Sequence, residues 1–407
     1  MSAVRVILLC AVMLVATLIS YAPCSAQQVK IVLWHSYRGM EKDALEAVVT
    51  GFNASQSEVA VEMLQVPYDA FADKITAAIP RGKGPDVFIF AQDRIGDWAE
   101  SSIIEPIGFW VTDDIQKRFS PSTIDALTYE DALYGLPTAF KCTVLFYNKQ
   151  MVSEAPKTTD ELIALGQKFT DKDKGTFGLV YENGLLYYNS VWMNAFGGGI
   201  FDKNRLPVLD SEANVNAIQF AYDLLRKHKI MPEEISNTLV TTLFNEGKAA
   251  MVISGPWFSG EIRQGMEYGV AIHPTVVGTG TPGKPFLTVE GALLSAKSEH
   301  KKEAYQFIEF LTNKESSTIM AVQGKQPVAN QAAFDDPRVA SDPYLPVFKA
   351  QLENAVPMPN FPEMRMVWTP MDIAIGKVLN DSATAADALK EAQEKILKDV
   401  KRFQGLE

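Results

Sequence analysis

Residues 30–91 read KIVLWHSYRGMEKDALEAVVTGFNASQSEVAVEMLQVPYDAFADKITAAIPRGKGPDVFIFA and alternate between two apolar periods. Lys30 to His35 is a short apolar run of the kind a buried strand needs. From Met40 to Phe52, the residues Leu45, Val48, Val49 and Phe52 share one helical face. Glu58 to Val66 returns to a strand pattern, with Val59, Val61 and Met63 on one side. Tyr68, Phe71, Ile75 and Ile79 then form a second helical stripe, which Pro80 to Pro85 breaks. Asp86 to Ala91 (DVFIFA) is the next buried strand. A β-α-β-α-β order implies a mostly parallel sheet covered by helices.

The alternation continues through the chain. Thr138 to Tyr147 reads as one long strand, and Phe177–Tyr181, Ala249–Ile253, Tyr268–Ile272 and Thr288–Ser295 as shorter ones. Asn214 to Lys227 and the segment with Ala304, Phe307, Ile308 and Leu311 carry helical spacing. Ala383 to Phe403 is a long amphipathic helix. No Pro/Gly/Ser-rich linker separates consecutive blocks, so two domains in this chain would exchange segments more than once.

Composition bounds the function. Of 407 residues, 47% are apolar and 21% charged, as in a globular protein. The formal net charge of −11 disfavours wrapping nucleic-acid phosphates or lying on an anionic membrane. Three cysteines and four histidines supply neither a zinc motif nor a disulfide framework. No GxxxxGK[ST] phosphate loop is present. Residues 1–26 read as a secretory signal peptide: Arg5 is the sole charge, Val6 to Ile19 is nearly all apolar, and Ser25-Ala26 supplies small residues for cleavage. Export to the periplasm is the expectation, with a lipid anchor at Cys24 as the alternative. Cys142 then remains as a lone thiol, expected to be buried and inert.

Four elements carry a resemblance to a known family. They are Gly84-Pro85-Asp86 with a strand and Asp93-Arg94-Ile95-Gly96; Tyr147-Asn148-Lys149; Phe244 to Met251 (FNEGKAAM) followed by Ser254-Gly255-Pro256-Trp257; and Met358-Pro359-Asn360-Phe361-Pro362 with Trp368. In this order they resemble family 1 extracellular solute-binding proteins of ABC importers, on the maltose/maltodextrin-binding branch. The resemblance implies a periplasmic-binding-protein-like α/β fold, with two α/β lobes joined by a three-segment hinge and the ligand cleft between them. By similarity the crossovers lie near residues 139–141, 287–289 and 333–342. The N-terminal lobe would hold 27–139 and 289–338, and the C-terminal lobe 140–288 and 339–407.

The resemblance also implies a site. A pyranose has apolar faces and a hydroxyl rim, so it needs flat aromatic platforms and planar polar partners. Trp257, Trp368 and Tyr187, with Tyr188 beside it, resemble the stacking aromatics, and Phe90 stands where the family carries Trp. Asp93 and Arg94 resemble the hydroxyl-binding pair; Trp34 and Arg38 follow the first strand, where the family places Trp and Lys. Lys141 stands where the maltose proteins carry a hydroxyl-accepting Glu, and Glu290 is an added acid near the second crossover. Lys141 is therefore a candidate for binding a carboxylate or phosphate on a modified sugar. The implied partners are a maltodextrin-like oligosaccharide and the permease subunits of an importer with a separate ATPase. The expected protein is a monomer without cofactor, metal or catalytic residue. Two other classes stay open. A glycosidase would need paired carboxylates across a cleft, with Asp93 and Glu182 as the residues to offer. A ferric-ion binder could use Tyr187, Tyr188 and His35.

Overall fold

In the computed structural model, which describes residues 28–406, the opening alternation is β1 (Val29–His35), α1 (Gly39–Ser55), β2 (Val59–Gln65), α2 (Tyr68–Ala78) and β3 (Val87–Ala91). The signal peptide and Cys24 lie outside the described residues. β1 pairs in parallel with both β2 and β3, as the sequence predicts. The chain then runs through β4 (Gly135–Lys141), β5 (Val144–Asn148), β6 (Phe177–Val180), α3 (Leu186–Ala195), α4 (Glu212–Arg226), β7 (Ala249–Ser254), β8 (Tyr268–Ala271) and β9 (Phe286–Leu294). α5 (Lys301–Leu311), β10 (Val356–Pro357), α6 (Trp368–Leu379) and α7 (Ala385–Phe403) follow.

Two sheets organise these strands. The first has the order β10-β9-β3-β1-β2, with β4 also paired to β9. The second has the order β8-β5-β7-β6. β9 runs antiparallel to both β3 and β4, because it enters the first sheet from the other lobe rather than through a covering helix. In the second sheet only β6 and β7 are parallel. The parallel expectation thus holds for β1–β3 and not for the whole fold.

The long strand expected over 138–147 is two strands. β4 belongs to the first sheet and β5 to the second, and the chain passes between them at Cys142-Thr143. Every residue from 138 to 147 except Lys141 and Tyr147 is buried, and the one charge beside the break, Lys141, is met inside the fold by Glu290. Burial pushes the Cys142 thiol up to about 12, which keeps it protonated and unreactive. β9 pairs with β10 at its first residues and with β4 and β3 later, all in the first sheet, while its first residue, Phe286, packs in the second apolar cluster and Leu287 in the first. Further along, Asp342 holds Lys325 at 2.8 Å. Two residues on, Tyr344 stacks on Tyr268 of the second sheet, ring centroids 4.6 Å apart.

Buried apolar side chains form two clusters. Val144 and Phe146 of β5 join the cluster around the first sheet, whereas Leu145 joins the one with α3, α4, α6 and α7. A strand buried on both faces reads as a continuous apolar run. Trp257 packs against both clusters.

The two crossing strands are held together by charge. Lys141 Nζ lies 2.8 Å from Glu290 Oε1 and 3.7 Å from Glu41 Oε1. The Tyr37 hydroxyl donates to Glu290 Oε2 at 2.8 Å. Both members of the Lys141–Glu290 pair are mostly buried, at 13% and 8% side-chain exposure, so removing one strands the other. Lys141→Met leaves Glu290 with Tyr37 alone, whereas Glu290→Leu leaves Lys141 with Glu41. Urea unfolding should show the larger loss for Lys141→Met, about 3 kcal/mol, and a double variant more stable than the sum of the two losses. Strictly additive losses would contradict the pairing.

Candidate functional site

Aromatic residues collect where the two sheets meet. Trp257 follows β7, the buried strand AAMVIS, in a short turn that begins at Pro256. A Cβ on Gly255 would overlap the Trp257 ring, so glycine there lets the indole lie against the backbone. Tyr187 stands in the first turn of α3, 6.1 Å from Trp257 between ring centroids and 6.5 Å from Phe286. Phe286 in turn meets Trp368 edge-on at 6.3 Å. The row Trp257, Tyr187, Phe286, Trp368 therefore joins three elements and the start of β9. Trp257, Tyr187 and Trp368 are each partly exposed.

Polar groups border this row. Asp93 and Arg94 occupy the turn directly after β3, at a strand's carboxyl edge where α/β sheets gather ligands. Arg94 Nε lies 3.6 Å from Asp93 Oδ2 and has no hydrogen-bond partner among the described residues, and Thr288 Oγ1 on β9 is buried beside the Tyr187 hydroxyl. Such buried polar atoms are suited to a ligand's hydroxyls. Burial raises the Asp93 carboxyl to about 6, with Arg94 opposing the rise. The Tyr187 hydroxyl is held well above the usual phenol range, chiefly by burial, and is close enough to feel Lys141 and Glu290.

Lys141 is not a free cation. Burial opposes its charge, but Glu290, Glu41 and Tyr37 overcome this and hold the ammonium well above the usual lysine range. The swap read from sequence as an anion-binding feature is thus an internal ion pair with the added acid Glu290. A ligand carboxylate or phosphate would have to displace Glu290 and face Glu41.

The other sequence-derived candidates separate. Trp34 is 6% exposed, belongs to the first core, and has Lys74 Nζ 4.9 Å above its ring centroid. Arg38 is exposed and precedes α1 as its N-cap residue. Tyr188 is 6% exposed and packs edge-on against Tyr187, as a buried support. Phe90 is also 6% exposed, packed among Tyr68, Phe71 and Trp98 at 5.2–5.5 Å, so it has no open face of the kind a stacking platform presents. Tyr37, Glu41, Tyr68 and Thr288 were missed by motif reading. The strand-end rule could have found two of them, since Tyr37 follows β1 and Tyr68 follows β2. Of the donors in the ferric reading, His35 Nδ1 accepts the Tyr37 backbone N–H at 3.2 Å, and Tyr188 is covered by Tyr187.

The motifs also meet in space. Gly96 of the first element donates its backbone N–H to Asn360 O of the last at 2.8 Å. A Cβ on Gly96 would lie 2.7 Å from Pro362 Cδ, so this glycine permits the close approach. Asn360 Nδ2 donates onward to the Ala126 and Thr128 carbonyls at 3.0 and 2.7 Å.

Known proteins are similar to this chain in sequence and fold. The maltotriose-binding protein of Pyrococcus abyssi is 32% identical over 379 residues, 91% of this chain and 82% of that protein. The galactooligosaccharide-binding protein of Bacillus subtilis is 29% identical, over 92% of this chain and 90% of its own. The structure of the Thermus thermophilus maltotriose-binding protein bound with maltotriose superposes with a TM-score of 0.82 at 28% identity, covering 91% of this chain and all of that one (100%). The model of the bacterial extracellular solute-binding proteins matches residues 39–318. With the family model matching residues 39–318 and a relative 32% identical over 91% of the chain, the chain belongs to the bacterial extracellular solute-binding protein family.

Proposed function

We propose that this protein is the ligand-capturing component of an ABC carbohydrate importer, and that it takes a maltose- or maltodextrin-like oligosaccharide. The observation that carries the reading is the row Trp257, Tyr187, Phe286 and Trp368, set beside Asp93, Arg94 and Thr288. Rings serve pyranose faces, and the polar groups serve the hydroxyl rim. The maltotriose named for the relatives from Pyrococcus abyssi and Thermus thermophilus supports the same ligand class.

We divide the chain at the sequence-derived boundaries, 27–139 with 289–338 and 140–288 with 339–407. The split of β4 from β5 and the Tyr344–Tyr268 stack support the division to within a few residues, while Phe140, whose backbone N–H donates to Pro327 O at 2.9 Å, stays with the first sheet. Ligand touching both lobes favours the closed arrangement, and so shifts the population toward it. A micromolar ligand contributes about 8 kcal/mol, enough to bias a hinge costing a few kcal/mol. The closed form would dock, as a monomer, on the importer's permease subunits, whose ATPase is a separate chain. No helix among the described residues is long and apolar enough to cross a membrane, which suits an exported, periplasmic carrier.

Calorimetric titration with maltotriose tests the reading, and scattering should show compaction at saturation. Trp257→Ala and Trp368→Ala should each weaken binding by about tenfold or more while the apo protein still unfolds cooperatively. Retained affinity in both variants would remove the aromatic row from the site.

Asp93 makes the titration sensitive to pH. Its folded value near 6 exceeds the ordinary aspartate value of about 3.9, so the native state holds a proton that the unfolded chain releases. The group therefore adds stability below about pH 4, and that contribution is lost as pH rises through 6. Binding runs the other way, because only the ionised carboxylate accepts two sugar hydroxyls. Between pH 7.5 and pH 5 maltotriose affinity should fall by about tenfold, and Asp93→Asn should abolish this dependence. A flat wild-type profile would exclude Asp93 from ligand contact.

A further inference from the structure

Tyr68 opens α2 directly after Pro67, and sequence periodicity groups it with Phe71, Ile75 and Ile79 as core. The structure separates it from them. Phe71, Ile75 and Ile79 are 0% exposed, whereas Tyr68 is 53% exposed. Its ring is nonetheless fixed. It stacks on Phe90 at 5.5 Å and 17°, and Phe90 stacks in turn on Phe71 at 5.2 Å and 16°. Trp98 tilts against Phe90 at 5.3 Å from another side. Pro67, with φ −54° and ψ 137°, fixes the turn from β2 into the helix.

The surroundings of Tyr68 are those of a cleft wall rather than open surface. Water reaches the ring, yet burial among neighbouring atoms holds the hydroxyl well above the usual phenol range, and the Asp93 and Glu290 carboxylates add to the effect. Lys141 and, from α3, Tyr187 act on the same hydroxyl. Tyr68 thus stands within electrostatic reach of Asp93, Glu290 and Tyr187. A neutral phenol there can donate a hydrogen bond and offer a ring face at once. Ring orientation set in advance by a packed stack lowers the ordering cost of binding.

We propose that Tyr68, and not Phe90, is the aromatic platform that the N-terminal lobe presents to a pyranose ring, with Phe90 and Phe71 as the base that holds it; this rests on the oligosaccharide reading above. The family's aromatic position near the end of β3 is filled here by a residue too covered to stack on a ligand, and the exposed ring is supplied from α2 instead. The shift moves the platform from the end of β3 to the end of β2, and adds a hydroxyl that Phe90 lacks. It makes Tyr68 a specificity-determining residue for a neutral sugar.

The test is calorimetric titration of maltotriose into wild type, Tyr68→Ala, Tyr68→Phe and Phe90→Leu, with apo melting temperatures alongside. Tyr68→Ala should bind about tenfold more weakly at a melting temperature near that of wild type, since the residue is exposed. Tyr68→Phe keeps the face and loses the hydroxyl, so it should lose about threefold. Phe90→Leu should lower the melting temperature clearly and weaken binding less than Tyr68→Ala. Unchanged affinity in Tyr68→Ala, or a greater affinity loss in Phe90→Leu at unchanged stability, would overturn the inference while leaving the sugar reading intact. Unchanged affinity with a defect only in cellular uptake would overturn it too, and assign the ring to docking on the permease. Failure of wild type to bind any malto-oligosaccharide would instead overturn the reading beneath it.

Discussion

The ion pair between Lys141 and Glu290 is the constraint from which the site takes its shape. It joins β4 and β9, which pair antiparallel where the chain passes between sheets. Burying two charges is costly, and their attraction offsets that cost only where geometry is good and the remaining valences are filled. Tyr37 and Glu41 fill them here. Gln326 completes the set by donating to Glu41 at 3.0 Å. The cluster therefore draws on β4, β9, the end of β1, α1 and the segment that carries Gln326. A change at any member is felt at the floor of the cleft. The cluster also consumes the one change in charge that sequence had marked as a ligand feature.

Aromatic placement depends on small residues at close approaches. Gly255 leaves room for the Trp257 ring, and Gly96 lets the turn after β3 meet Pro362. Gly269 does the same for Tyr147 within the second sheet, where an added Cβ would overlap the phenol ring. These glycines have ordinary extended or helical backbone, so space rather than backbone freedom accounts for them. The motifs that looked separate along the chain are thus partly one structure. The element after β3 and the one before α6 touch through Gly96, Asn360 and Pro362, which brings Asp93–Arg94 and Trp368 onto a common frame.

Much of the fold was legible because apolar periodicity reports burial. The strands at 30–35, 86–91 and 249–253 and the helix ending at Phe403 fall within a few residues of their observed limits. The break at Cys142-Thr143 was not legible, since both halves of the run are buried and its one charge, Lys141, stands inside a strand rather than in a polar linker. Helices at 186–195 and 368–379 were hidden for a related reason: both are apolar on more than one side, leaving little period to detect. The site was legible as a set of residue types and not as a set of surfaces. Trp34, Phe90 and Tyr188 have the right chemistry, but their rings are covered, and coverage depends on Lys74, on Tyr68 and Phe71, and on Tyr187. The partner of Lys141 lies 149 positions away along the chain, so no local pattern could reveal that its charge is met.

The charge balance at the cleft argues for a neutral ligand. Lys141 is cancelled by Glu290, Arg94 stands against Asp93, and Glu41 remains as an excess acid near the pair. The whole chain adds a formal charge of −11, which repels an approaching anion before contact. A phosphorylated or acidic sugar would meet that field and then find no unpaired cation at the crossing strands. A neutral oligosaccharide meets neither obstacle. Its hydroxyls can pair with Arg94 Nε, which no described residue satisfies, and with Thr288 Oγ1 beside Tyr187, and its faces can rest on rings that water already reaches. Discrimination on this account comes less from attraction to a particular group than from the cost of leaving those buried polar atoms, or an introduced anion, unmatched.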